Sequence, residues 1–174
     1  MESRARFLGH SIHQSLVAFP VGLLATAVIL DLIAIFGRYP TAVVAAYWMM
    51  ACGIVGALVA APFGLIDLLA IRKDTRAARI GRLHGGGNLI VLLLFIGSWL
   101  MRRENDMQAS GLALLLSFGG GALALVTAWL GGELVARLGV GVAEGANLDA
   151  PSSLDGVPAD STLRDEQPTV QVRR

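Results

Sequence analysis

Hydrophobic and polar positions alternate in blocks along this chain rather than residue by residue. Apolar runs cover about residues 16–36, 42–71, 83–101 and 112–138. Between them stand short polar breaks: Gly37-Arg38-Tyr39-Pro40, Arg72-Lys73-Asp74 and Arg102-Arg103-Glu104-Asn105-Asp106. A helix rises 1.5 Å per residue, so about 20 apolar residues span a bilayer's hydrocarbon. All four runs come close to that length or exceed it, and the second is long enough to tilt. In hydrocarbon the backbone must satisfy its own hydrogen bonds, so uniformly apolar runs predict helices. The alternation of barrel strands is missing. The pattern predicts an all-α, membrane-spanning four-helix bundle with a disordered C-terminal tail.

Three regions follow: a cytoplasmic N-terminal segment at 1–15, a transmembrane domain at 16–143 and a solvated tail at 144–174. Pro20 is expected in the first turns of its helix, where a missing N–H costs little, and Pro62 deep in the second, where it should kink it. Beyond Glu144, Gly, Pro, Ser, Asp and Glu replace apolar periodicity, which predicts disorder. Arg4 and Arg6 before an apolar run resemble a signal peptide's start. The run is too long and is interrupted by Pro20 and Asp31, so it reads as a retained helix.

Composition agrees. Hydrophobic residues make up 55% of the chain and charged residues 16%, against about 25% charged in soluble domains. Mean hydropathy is +0.64. A net charge of +1 suggests no nucleic-acid partner. The single cysteine, Cys52, excludes an intrachain disulfide and reads as a small packing residue. Lys and Arg collect on one side of the alternating runs, at Arg4, Arg6, Arg72, Lys73, Arg76, Arg79, Arg82 and Arg137. Arg38, Arg102 and Arg103 fall on the other. The positive-inside rule then gives a multi-pass protein of the bacterial plasma membrane with both termini cytoplasmic. Small residues recur at four-residue spacing: Gly56, Ala60 and Gly64; Gly53, Ala57 and Ala61; Gly120, Ala124, Ala128 and Gly132. These rows predict helix contacts.

The remaining polar groups gather at the cytoplasmic end. His10 and His13 precede run one, Asp67 closes run two, His84 and Asn88 open run three, and Glu133 and Arg137 close run four. Imidazole and carboxylate together offer a ligand set for a transition metal: His10, His13, His84, Asp67 and Glu133. Histidines from two helices could instead hold a haem b iron axially, through His10, His13 or His84. A proton relay is a third use. The structural alternative pairs Asp67 with Arg82 and Glu133 with Arg137 at helix ends, and Asp31 with Arg102 or Arg103. Gly85-Gly86-Gly87 lacks the lysine and hydroxyl of a phosphate loop and reads as a close helix approach. Histidine opens runs one and three and a carboxylate closes runs two and four, an echo of two helix hairpins related about the membrane normal.

Gly9-His10-Ser11-Ile12-His13 with Phe19-Pro20, Gly64-Leu65-Ile66-Asp67, Arg82-Leu83-His84 with Asn88, and Trp129-Leu130-Gly131-Gly132-Glu133-Leu134-Val135 together resemble a bacterial membrane family, domain of unknown function 2231. The resemblance covers about residues 9 to 142. Gln14 stands where that family commonly has proline, and Ala18 and Leu138 where it commonly has histidine. Some relatives are fused to Rieske or cytochrome c modules, so the resemblance implies a redox-linked role. Two functions from different classes follow. One is a metal or haem site serving electron transfer with a redox protein. The other is a cofactor-free scaffold subunit that binds a membrane-protein partner or a second copy through its small-residue faces. Four spans are few for a proton-coupled transporter. No nucleophile–base pair has a spacing that points to catalysis, so enzyme activity is left open.

Overall fold

The computed structural model describes residues 1–165. Its frame is four helices: α1 (Ile12–Gly37), α2 (Pro40–Ala70), α3 (Arg76–Arg103) and α4 (Gly111–Gly132). All four are long and apolar enough to cross a membrane. Local chemistry sets their starts. Ser11, Thr75 and Ser110 each accept the amide three residues on, from Gln14, Ala78 and Ala113, which satisfies an orphan donor of the first turn. Pro40 opens α2, where its missing N–H costs nothing. Arg38 ends α1 in the left-handed conformation, φ 55°.

These caps move the expected boundaries. Helix α1 begins at Ile12 rather than near Leu16, so Pro20 is its ninth residue rather than part of its first turns. Helix α3 begins at Arg76, a full polar turn and more before the apolar run. Hydropathy marks where lipid begins, whereas a helix begins at its cap. Helix α4 passes at Glu133–Arg137 into a π-helical turn, in which the Leu138 amide reaches back to the Glu133 carbonyl.

Ahead of α1 lies a small hairpin, β1 (Arg6–Phe7) antiparallel to β2 (His10–Ser11). Leu8 and Gly9 form its two-residue turn, both with positive φ (50° and 83°), the combination that matches strand twist. Beyond the π-helical turn the chain runs in turns to α5 (Ser161–Asp165). It touches the hairpin, where Ser153 Oγ donates to the Leu8 carbonyl at 3.0 Å. The rest of the expected tail, residues 166–174, lies outside the described residues.

The links between helices are short, so the helices run antiparallel as two hairpins, α1 with α2 and α3 with α4. The hairpins repeat one another. The buried residues of α1 are Pro20, Leu24, Ala27 and Asp31. An offset of 71 takes them to Val91, Phe95, Ser98 and Arg102, all buried in α3. The buried residues of α4 are Ala113, Ser117, Gly120 and Thr127. An offset of 67 returns them to Ala46, Met50, Gly53 and Ala60, all buried in α2. The two offsets differ by four residues, one helical turn: fewer residues separate equivalent buried positions in the second hairpin, although its link, 104–110, is longer than the two-residue link 38–39 of the first.

Contacts repeat along with burial. A Cβ on Gly53 would meet Leu24 at 2.7 Å, and one on Gly120 would meet Phe95, the equivalent of Leu24, at 3.0 Å. Each set of buried positions steps by four and then three residues, followed by a further four in α1 and α3 and a full heptad in α2 and α4, the seam of a left-handed bundle. The seam takes Gly53, Ala57, Ala60 and Gly64 from the two expected rows of α2, and leaves Ala61 exposed. In α4 it takes Gly120 and Ala124 and leaves Ala128 and Gly132 exposed. A strict four-residue row drifts around a 3.6-residue helix, and that drift carries these members off the contact face.

Candidate functional site

The far end, opposite the histidines, is sealed. Leu24, Ala27, Met50, Ile54, Val91 and Phe95 form one buried cluster. Above it Arg102 grips Asp31 through two bonds of 2.7 Å, Nη1 to Oδ1 and Nη2 to Oδ2. Both side chains are at most 2% exposed. Ser117 Oγ donates to Asp31 Oδ2 at 3.1 Å, and Arg102 Nε donates to Ser98 Oγ at 3.3 Å. Asp31 and Arg102 are equivalent positions of the two hairpins, so the repeat is asymmetric in charge at the point where its halves meet.

At the histidine end the same helix faces carry His13 and Val17 on α1, and His84 and Asn88 on α3. These positions extend the two seams inward at the same offset of 71. They are half-buried rather than sealed, as are Gly64 and Gly131 opposite them. The geometry around each histidine repeats. His13 Nδ1 lies 3.0 Å from the Ala60 carbonyl and His84 Nδ1 lies 2.8 Å from the Thr127 carbonyl. Ala60 and Thr127 are equivalent residues. A carbonyl oxygen only accepts, so Nδ1 donates in both cases, and in the neutral ring Nε2 then carries the lone pair. The glycine one turn beyond each carbonyl makes room for the ring. A Cβ on Gly64 would come within 2.7 Å of His13 Cε1, and one on Gly131 within 3.0 Å of His84 Cε1. The two imidazoles lie within electrostatic range of each other.

Asn88 joins the second site only. Its Nδ2 stands 3.2 Å from His84 Nε2 and 3.4 Å from Nδ1. Near-equal distances to both ring nitrogens place the amide off the Nε2 lone-pair axis, because a linear bond to Nε2 would leave Nδ1 far away. Thr127 Oγ1 lies 2.9 Å from Asn88 Oδ1 and 3.0 Å from the Ala124 carbonyl, its one hydrogen serving either acceptor.

The other three expected ligands are engaged elsewhere. His10 is exposed in the hairpin, its Nδ1 3.0 Å from the Leu8 carbonyl. Asp67 is buried under the N-terminal strap rather than beside Arg82. Ser3 Oγ lies 2.9 and 2.7 Å from its two carboxylate oxygens, and the Arg4 amide donates to Oδ1 at 2.8 Å. Glu133 accepts from Arg76 Nη2 at 2.7 Å rather than from Arg137. Arg76 comes from the start of α3, ahead of the apolar run, where hydropathy alone predicts a loop. Among the described residues no group of three or more His, Cys, Asp or Glu side chains is arranged to hold a metal ion. The strap also fixes its own ends. The Met1 amine donates to the Gly139 carbonyl at 3.0 Å, and the Glu144 amide donates to Glu2 Oε1 at 3.1 Å. That bond, partly opposed by desolvation and helped by Arg6, lowers the Glu2 carboxyl below the ordinary glutamate range.

The fold and the histidine geometry define a class: an intramembrane four-helix protein built from two equivalent hairpins, each presenting one oriented imidazole. The chain belongs to the family described as predicted membrane protein, DUF2231, which it matches over residues 9–144. No curated protein and no solved structure matches it.

Proposed function

We propose that this protein is a membrane electron carrier that binds haem b between His13 and His84, at the cytoplasmic side of the bacterial plasma membrane. One observation carries the reading. Two equivalent seam histidines each donate Nδ1–H to a helix carbonyl, which in the neutral ring leaves Nε2 free to ligate, the tautomer of a ligating imidazole. Two axial nitrogens suffice for a haem iron, whereas a bare transition metal asks for a larger donor set than His13 and His84 supply. A haem held there would supply reversible one-electron chemistry. Of this chain's residues, His13 and His84 would ligate, Ala60 and Thr127 would orient the rings through their carbonyls, and Gly64 and Gly131 would leave the rings space. Both termini in the cytoplasm agree with the basic residues at the histidine end, and a soluble redox protein is then the expected partner.

Haem titration of the purified, detergent-solubilised protein tests this. A saturable shift in haem absorption at one haem per chain is expected, reduced at least tenfold in affinity by His84→Ala in a protein of unchanged helicity. Unshifted haem would overturn the reading. The exposed glycines favour a second one. A Cβ on Gly22, Gly86, Gly119 or Gly132 would meet nothing within 4 Å, so a partner helix or a second copy could approach there, as a scaffold subunit requires. Cross-linking in native membranes separates the two: the scaffold reading expects a trapped partner whether or not His84 is present.

A further inference from the structure

The turn from α2 into α3 carries a charge pattern that the histidine site does not use. Arg72, Lys73, Arg76, Arg79 and Arg82 are all exposed there, and Asp74 is the segment's one carboxylate. Arg76 is bonded to Glu133. Arg72, Lys73, Arg79 and Arg82 have no ion-pair partner among the described residues. Arg76 and Arg79 sit in the first turn of α3, which holds no acidic residue. The positive end of the helix dipole repels both; Glu133 offsets this for Arg76, and no carboxylate among the described residues does so for Arg79. Apolar side chains are exposed at the same end of the helices: Leu83, one turn along α3 from Arg79, is 61% exposed, and Leu69, in the last turn of α2, is 74% exposed. Unpaired arginines at a helix end that also presents exposed leucines match one ligand chemistry, a phosphate carried on acyl chains.

We propose that this rim, centred on Arg79 and Arg82, is a binding site for acidic phospholipid headgroups. The phosphate lies against Arg79 and Arg82 and the acyl chains lie along Leu69 and Leu83. The assignment is independent of any cofactor at His13 and His84. Each basic residue at a membrane surface contributes about 1 kcal/mol towards acidic lipid, close to fivefold.

The experiment is native mass spectrometry of the full chain, released from detergent containing equal amounts of phosphatidylglycerol and phosphatidylcholine. Bound phosphatidylglycerol is expected at least about fivefold in excess. The double variant R79Q/R82Q removes most of that excess. The control R38Q/R103Q, at the far end, leaves it unchanged, and circular dichroism shows equal helicity in all three proteins. No excess in the parent would overturn the proposal, as would equal loss in both variants. Displacement of the lipid by inorganic phosphate at the same concentration would assign the arginines to a free anion and also overturn it. So would retention of an acidic peptide with no lipid preference, which would make the rim a protein-docking face.

Discussion

Substituting Arg102 by alanine removes the guanidinium that holds Asp31 at 2% exposure near the far end of the bundle. The carboxylate then keeps only the Ser117 hydroxyl, at 3.1 Å. Breaking one partner of a buried pair costs about 3–5 kcal/mol, because the other charge stays desolvated. A lone carboxylate at bilayer depth adds no relief, since insertion scales put it at about 3 kcal/mol. A loss of about 3 kcal/mol is therefore expected for Arg102→Ala, and a similar loss for Asp31→Ala. The equivalence of the two positions sharpens the test. The exchange D31R/R102D restores opposite charges across the same junction. It does not restore the helpers, because the equivalents of Ser98 and Ser117 are Ala27 and Met50. The exchange should thus recover part of the loss, less about 1 kcal/mol for each hydrogen bond it cannot remake. Reversible unfolding in mild detergent, followed by circular dichroism, gives all of these values. An Arg102→Ala loss below about 1 kcal/mol would refute the buried-pair argument. An exchange no better than the worse single variant would refute the equivalence.

Four further outcomes are expected. Gly64→Ala should weaken haem binding more than Gly131→Ala, since its Cβ would meet the imidazole at 2.7 rather than 3.0 Å; the reverse order in a haem titration would count against the ring positions. Asp67→Ala should release the strap, seen as faster hydrogen exchange at the Arg4 amide, which donates to Asp67 at 2.8 Å; unchanged exchange would contradict the latch. Acidification should loosen the strap at Glu2. The group's carboxyl is lowered in the fold, so its contribution is full above the ordinary glutamate value and is lost as pH falls through the lowered one. Faster exchange at the Glu144 amide, after correction for intrinsic rate, should follow that fall. Asn88→Ala should leave one haem per chain bound, because the amide lies off the Nε2 axis of His84; loss of haem would make Asn88 part of the site.

Four helices and their order were legible from hydropathy, because lipid permits little else for runs of that length. Their ends were not, because Ser11, Thr75 and Ser110 set the starts and hydropathy is blind to caps. That error hid Arg76 in a loop and sent Glu133 to the wrong arginine. The convergence of Asp67 with the histidines failed for a related reason: its partners are a hydroxyl and backbone amides of a strap that carries no apolar signal. The internal repeat was barely visible because it conserves burial rather than identity, as Leu24 against Phe95 and Ala60 against Thr127 make plain. Within the candidate site, residue type alone could not separate His10 from His13. The cap at Ser11 does so: α1 begins at Ile12, so His13 lies on the helix face that continues from Pro20 to Asp31, whereas His10 lies in β2 ahead of it.

The central claim is that His13 and His84 act as a pair on one ligand. Electron paramagnetic resonance of the oxidised, haem-loaded protein tests it most directly. A low-spin bis-imidazole signal is predicted for the parent, replaced by a high-spin signal or lost in both His13→Ala and His84→Ala. Persistence of the low-spin signal in either variant, or its absence from the haem-supplemented parent, would contradict the account.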